Sequence, residues 1–386
     1  MVKRIEWVVK ASKLCNLRCA YCYEWPFLGD ASRISLDGWA GVLAAMRWYH
    51  HALAARLGTR VQTRLIWHGG EPLTLPLPYL RDVLALQRAE LADIDHRLLM
   101  QTNLVSLAPA QLALLRDAGV GLGVSLDVVP GVRLDRGGHP TEERVVANLD
   151  RLERSGVRYG AITVVAKHTL GRLREVHDFW QRRGVGFRVL PLFEGPSERP
   201  DHLFEASDAE LVGAMSDLFD HWVERGASID VLPLSEWLEN VLRKLVGQPR
   251  EVYDRRRWGE SVLLVETDGE LFQTDERGRR ELSLGNVFRD SMERIVTGPA
   301  YAASLVRTEQ KAALHCHGCA QYRYCNGYPV HAEPISAPTA GQCPVTAAVH
   351  EHIEQWLLAS GYSRRVLLRL LGADAGPATV PGGRPA

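Results

Sequence analysis

The chain has 386 residues, 46 lysines and arginines against 46 aspartates and glutamates, and a 46% hydrophobic content, enough for one large core and a smaller one. Its zero net charge speaks against a nucleic-acid partner. The opening MVKRIEWVVKAS has too short an apolar run and too many charges for a signal peptide, and no uninterrupted apolar stretch would span a bilayer, so a cytoplasmic protein without membrane contact is expected.

In chain order, the β-rich runs RIEWVVKA, TRLIWH, HRLLMQTN, VGLGVSLD, YGAITVVA and GFRVLPL alternate with segments of helical spacing, the pattern of βα units on a parallel sheet. After the first run, Ser35 is placed to cap a helix, and Leu36, Trp39, Leu43, Met46, Leu53 and Leu57 recur at helical intervals up to Gly58. Strands buried on both faces with crossovers of one hand give an α/β barrel or partial barrel with its chemistry at the C-terminal strand ends. Next come two amphipathic helices, SDAELVGAMSDLFDHWVERG and SEWLENVLRKLVG, each opened by a serine cap, then the irregular basic stretch PREVYDRRRWGES. The Pro/Gly-rich tail, residues 372–386, reads as disordered.

The residues with chemical potential fall on one rim of this scheme. A cysteine loop follows strand one, HGGEP (His68 to Pro72) follows strand two, Gln101 and Asn103 end strand three, Ser125 and Asp127 end strand four, and Pro191 ends strand six. The seven cysteines form two groups: Cys15, Cys19 and Cys22, then Cys316, Cys319, Cys325 and Cys343. In a reducing compartment such groups point to metal or catalysis rather than disulfides. A Cys-x3-Cys-x2-Cys loop can hold three irons of a four-iron cubane and leave the fourth open to an exogenous ligand. A zinc ion closed by a fourth ligand, for which His68 is available, is the alternative, and four thiolates in the second group suit a closed cluster or zinc.

Cys15, Cys19, Tyr21 and Cys22 match the Cys-x3-Cys-x-aromatic-Cys motif, and the chain resembles a radical S-adenosylmethionine (SAM) enzyme with a C-terminal SPASM-type domain. That resemblance implies a partial (β/α)6 TIM-like barrel over residues 1–232, a bridge over 233–260, an auxiliary-cluster domain over 261–360 and an extension over 361–386. It implies SAM and two [4Fe-4S] clusters as cofactors: Cys15, Cys19 and Cys22 carry the SAM-binding cluster and Cys316, Cys319, Cys325 and Cys343 the auxiliary one. Gly69, Gly70, Glu71 and Pro72 are similar to the family's SAM-ammonium motif, and Tyr21 would lie against the adenine. Ser125 would contact the ribose or carboxylate. Arg133, eight residues before Thr141, takes the place of the family's arginine, with Arg136 as the neighbouring alternative on a shortened loop. Pro329 and Thr274 stand where full SPASM domains carry further cysteines, so one auxiliary cluster remains. VLLVETDGELFQTDERGRRELSLGNV resembles the hairpin that precedes the SPASM cysteines, and Asp275 sits where sulfatase-maturing relatives carry a catalytic base, although an acidic turn residue is the plainer reading.

SPASM-bearing relatives mostly modify peptides. The resemblance therefore implies a precursor-peptide substrate, an electron donor such as flavodoxin or ferredoxin, and hydrogen abstraction leading to a C–C or related crosslink. Formylglycine formation as in sulfatase maturation and oxidation of a small molecule are the same-class alternatives, and a non-catalytic metal-bound peptide scaffold is the remote one. About four residues precede strand one, so a leader peptide would be read by the barrel, the SPASM region or a separate protein.

Overall fold

The computed structural model describes residues 2–192, 204–250, 260–273, 280–325, 327 and 343–372. Six βα units come first: β1 (Val2–Ser12), α1 (Leu36–Leu57), β2 (Arg60–Gly69), α2 (Leu77–Glu90), β3 (His96–Thr102), α3 (Pro109–Asp117), β4 (Gly121–Ser125), α4 (Glu142–Ser155), β5 (Tyr159–Val165), α5 (Leu173–Arg183), β6 (Phe187–Pro191) and α6 (Asp208–Glu224). These strands match the six β-rich runs to within two or three residues at either end. β7 (Val231–Leu232) and α7 (Leu234–Val246) follow, then β8 (Val262–Val265), β9 (Glu270–Gln273), β10 (Gly285–Asn286), α8 (Met292–Thr297), α9 (Pro299–Cys316), α10 (Pro344–Ala359) and α11 (Arg364–Leu370).

All ten strands form one sheet in the order β10-β9-β8-β1-β2-β3-β4-β5-β6-β7. Strands β1 to β7 run parallel, so their C-terminal ends share one edge. The free edge of β1 pairs in parallel with β8, Trp7 opposite Leu263. β9 returns antiparallel to β8, so the C-terminal hairpin continues the sheet of the βα units.

Local chemistry explains the elements. Ser35 Oγ accepts from Gly38 N at 3.0 Å to start α1, and Gly58 closes it at φ +58°. Trp39, Leu43, Met46 and Leu53 are buried along one face, and the Trp39 ring stacks on Trp67 of β2 at 4.8 Å. Leu36 departs from the expected buried face and is exposed. Ser207 caps α6 in a capping box with Glu210, as the sequence implies. Ser235 is not a cap: α7 starts from Pro233, and Ser235 donates to Asp230 from inside the first turn.

α10 packs on α6 and α7, and α8 on α1. Among the described residues, no helix is long and apolar enough to cross a membrane.

Candidate active site

A cavity of about 270 Å³ opens at the C-terminal strand ends. Cys15, Cys19 and Cys22 all line it, on the loop that leaves β1 through a register shift between Lys10 and Ser12. Such a bulge re-aims the chain out of the sheet. The loop is then pinned from several sides: Cys15 N donates to Leu28 O at 3.1 Å, Arg18 N to Leu134 O at 2.7 Å and Ala20 N to Val132 O at 2.9 Å. The guanidinium groups of Arg18 and Arg136 both donate to Cys15 O, at 3.1 and 3.0 Å. Leu17 N points at Cys15 Sγ from 3.4 Å.

The Gly-Gly-Glu-Pro turn after β2 packs against the start of this loop. Gly70 N donates to Ser12 O and Glu71 N to Leu14 O, both at 2.8 Å. A Cβ on Gly69, which sits at φ +122°, would come within 2.0 Å of Ser12 O, and one on Gly70 within 2.3 Å of Lys13 O and Leu14 O. Both glycines are therefore needed for this backbone contact. The Glu71 carboxylate is already engaged: it accepts from Leu73 N (2.9 Å), Thr102 Oγ1 (2.7 Å) and Asn103 N (2.6 Å), fastening the end of β2 to the end of β3. Burial raises its pKa, and those three donors work against the shift. Pro72 is buried at the head of a single 3-10 turn. Asn103 reaches the cysteine loop, donating to Asn16 Oδ1 at 2.8 Å.

Ser125 lines the cavity and accepts from Gln101 Nε2 at 2.7 Å. Arg133 lines it too and is buried, its position fixed by Thr141 Oγ1, which donates to Arg133 O at 2.9 Å. Arg133 Nη1 donates to Tyr21 Oη at 2.7 Å. Because arginine can only donate, the Tyr21 hydroxyl must give its proton to its other partner, Asp127. Burial alone would raise the Asp127 carboxyl, but His168, Arg133, Tyr21 and the Val164 N–H hold it below its ordinary value. Burial raises the Tyr21 phenol well above its own. The sequence places Ser125 and Asp127 on the rim, and the family resemblance singles out Tyr21 and Arg133, but neither reveals the Arg133–Tyr21–Asp127 chain.

The donor set fits iron–sulfur chemistry. Burial pushes the Cys15 thiol up to about 11, and burial with the neighbouring Cys19 pushes Cys22 up to about 12, so a strongly cationic group is needed to hold them as thiolates. Among the described residues, the one His/Cys/Asp/Glu group whose ligand atoms converge within 4.8 Å is His177, Asp178 and His221. No three cysteine sulfurs among the described residues lie within 4.8 Å of one another. The histidine group is a clamp between α5 and α6, Asp178 accepting from His221 at 2.7 Å and His177 at 3.3 Å while Arg225 lies at 3.4 Å.

In the second cysteine set, Cys316 ends α9, Cys319 and Cys325 lie in the turns beyond it and Cys343 precedes α10. Gln321 N points at Cys319 Sγ (3.4 Å) and Gly327 N at Cys325 Sγ (3.2 Å), the same two-residues-on amide contact that Cys15 receives. Thr274, Asp275 and Pro329 lie outside the described residues.

One feature escaped the sequence. Lys10, buried at the end of β1, contacts Glu24 Oε1 at 2.5 Å and Glu266 Oε1 at 2.6 Å. Burial works against its charge, but the two carboxylates outweigh that and raise its pKa. Glu24 lines the cavity and Glu266 begins the β8–β9 turn, so this ion pair network ties the cysteine loop to the C-terminal hairpin.

Residues 9–179 match the model of the radical SAM superfamily. Over 327 residues the chain is 24% identical to a serine-type anaerobic sulfatase-maturating enzyme of Klebsiella aerogenes, covering 82% of this chain and 77% of that one. Over 334 residues it is 19% identical to the cysteine-type enzyme of Clostridium novyi (strain NT), covering 84% and 87%. The fold is similar to that of native anSMEcpe with bound AdoMet and Cp18Cys peptide, at a TM-score of 0.71 and 18% identity over 96% of this chain and 99% of that one. It is also similar to that of Streptococcus suis SuiB bound to precursor peptide SuiA, at a TM-score of 0.54 and 14% identity over 84% and 71%. With its motif cysteines gathered on one cavity, the chain carries a radical SAM domain over residues 9–179, with SAM and [4Fe-4S] clusters as cofactors, and its C-terminal hairpin and helices complete a fold similar to that of anSMEcpe.

Proposed function

We propose that this enzyme abstracts a hydrogen atom from a precursor peptide and closes a C–C or related crosslink within it. The observation that carries the chemistry is the grouping of Cys15, Cys19 and Cys22 with the glycine turn, Ser125 and Arg133 around one cavity. Three thiolates leave one iron open, and when bound, the reduced cluster and SAM together supply a 5'-deoxyadenosyl radical.

The chain's own residues bind and orient. In this reading, backbone carbonyls of the Gly69–Glu71 turn accept from the SAM ammonium, since the Glu71 carboxylate is taken. Ser125 and Arg133 hold the ribose and carboxylate, and the Tyr21 ring faces the adenine. Cys316, Cys319, Cys325 and Cys343 hold the auxiliary cluster. Asp275 accepts the proton released when the substrate radical is oxidised. The peptide loses two hydrogens, one to 5'-deoxyadenosine and the other as the proton that Asp275 takes and an electron that the auxiliary cluster would accept. A flavodoxin- or ferredoxin-like donor of the cytoplasm supplies the starting electron.

A second reading, oxidation of a serine or cysteine to formylglycine, is favoured by the similarity to both sulfatase-maturating enzymes over more than four fifths of the chain. The test is anaerobic turnover with two peptides, one encoded beside the gene and one drawn from a sulfatase, followed by fragmentation mass spectrometry. A product that has lost two hydrogens and resists sequencing across a ring supports the crosslink. A linear aldehyde product from the sulfatase peptide alone replaces it with maturation.

A further inference from the structure

His168 follows β5 on the same rim as the cysteine loop, and none of the readings above gives it a role. Its ring stacks on Tyr21, with centroids 5.4 Å apart and planes 14° from parallel. Phe204 meets the same ring edge-on at 5.9 Å. The imidazole is largely buried, yet neither ring nitrogen has a hydrogen-bond partner among the described residues. The nearest charged atom is Asp127 Oδ2, 3.7 Å from Nε2. Asp127 is the carboxylate that takes the Tyr21 hydroxyl proton.

Tyr21 lines the cavity and the His168 ring stacked on it does not. Tyr21 is then held at two points. Its hydroxyl is fixed between Arg133 and Asp127, and its ring is backed by His168. A hydroxyl held at one point still lets a phenol swing about its own axis. A flat ring stacked behind it removes that freedom, and pre-orienting a binding group lowers the ordering cost of ligand capture. A phenylalanine would supply the stack alone. Histidine adds a polar edge toward Asp127, which also anchors Val164 N at 3.0 Å at the end of β5.

We propose that His168 is a positioning residue for SAM: it backs the Tyr21 ring so that the opposite face is presented flat to the adenine. The inference rests on the reading that Tyr21 faces the adenine, and the test separates the two. Wild type, His168→Ala, His168→Phe and Tyr21→Leu are reconstituted anaerobically as holoenzymes. Iron content, thermal midpoint, SAM affinity by calorimetry and the SAM-induced change in the electron paramagnetic resonance spectrum of the reduced enzyme are measured.

The expected result for His168→Ala is unchanged iron with SAM bound about tenfold more weakly, the upper end of what an aromatic pair contributes. Its spectral change then needs correspondingly more SAM. His168→Phe keeps the stack and stays within about twofold of wild type. Wild-type affinity in His168→Ala beside a weakened Tyr21→Leu overturns the inference alone. Wild-type affinity in all three variants overturns the placement of Tyr21 with it. His168→Phe as weak as His168→Ala, or iron lost from both, also contradicts the proposal, because the ring would then be acting otherwise than by stacking.

Discussion

Gly70 carries a backbone constraint that its motif does not announce. The sequence suggests glycines that let the backbone approach a ligand. The structure adds a contact between two loops far apart in the chain, with no room for a Cβ against Lys13 O and Leu14 O. Nothing local in the sequence records that approach. Gly70→Ala should therefore lower stability by about 3 kcal/mol or more, since the obstacle is backbone rather than a side chain that can turn aside. The checks are a lower thermal midpoint and iron lost from the N-terminal cysteine set. Lys10 is the opposite case, a lysine in a strand that gives no hint of two carboxylate partners. Lys10→Met leaves the buried Glu24 and the half-buried Glu266 without a counter-charge, an expected loss of about 3 kcal/mol in denaturant unfolding. Restoring near-wild-type stability by adding Glu24→Gln and Glu266→Gln would show that the charge, not the packing, was responsible.

At the scale of elements, the parallel strands and the helices α1 and α6 were legible because periodicity and caps are local signals. The Ser35 and Ser207 caps show this, as do the six β-rich runs. The start of α7 was not, because Pro233 and the bond from Ser235 to Asp230 depend on where β7 delivers the chain. α10 is held on α7 through His350, which is buried against Trp237 and 3.3 Å from Asn240 Nδ2. Burial, helped by Lys244, lowers the His350 pKa from 6.5 to about 4. Between those values the unfolded chain binds more protons than the folded one, so stability falls as the pH drops through that window. The full loss is roughly 3 kcal/mol. Urea unfolding at pH 7 and pH 5 should show the protein weaker at pH 5, and His350→Leu should lose most of that difference. An unchanged difference in the variant would remove His350 as its source.

At the scale of the molecule, the sequence read the βα repeat and both cysteine sets, but not that one sheet runs through everything. The parallel pairing of β1 with β8 joins residues more than 250 positions apart, and no turn or spacing announces it. The sheet brings the C-terminal hairpin beside the cysteine loop, where Lys10 links them. The candidate site was legible as a list of rim residues, since the C-terminal ends of parallel strands are where such folds keep their chemistry. Its internal wiring, Arg133 to Tyr21 to Asp127 and Glu71 to Asn103, had to come from the fold.

The central claim is an open coordination position at the cluster held by Cys15, Cys19 and Cys22, and its most direct measurement is 5'-deoxyadenosine release from SAM under anaerobic reduction. Wild type should release it. The variant with all three cysteines changed to alanine should release none while keeping the iron bound by Cys316, Cys319, Cys325 and Cys343. Release by that triple variant, or none from a fully iron-loaded and reduced wild type, would contradict the account.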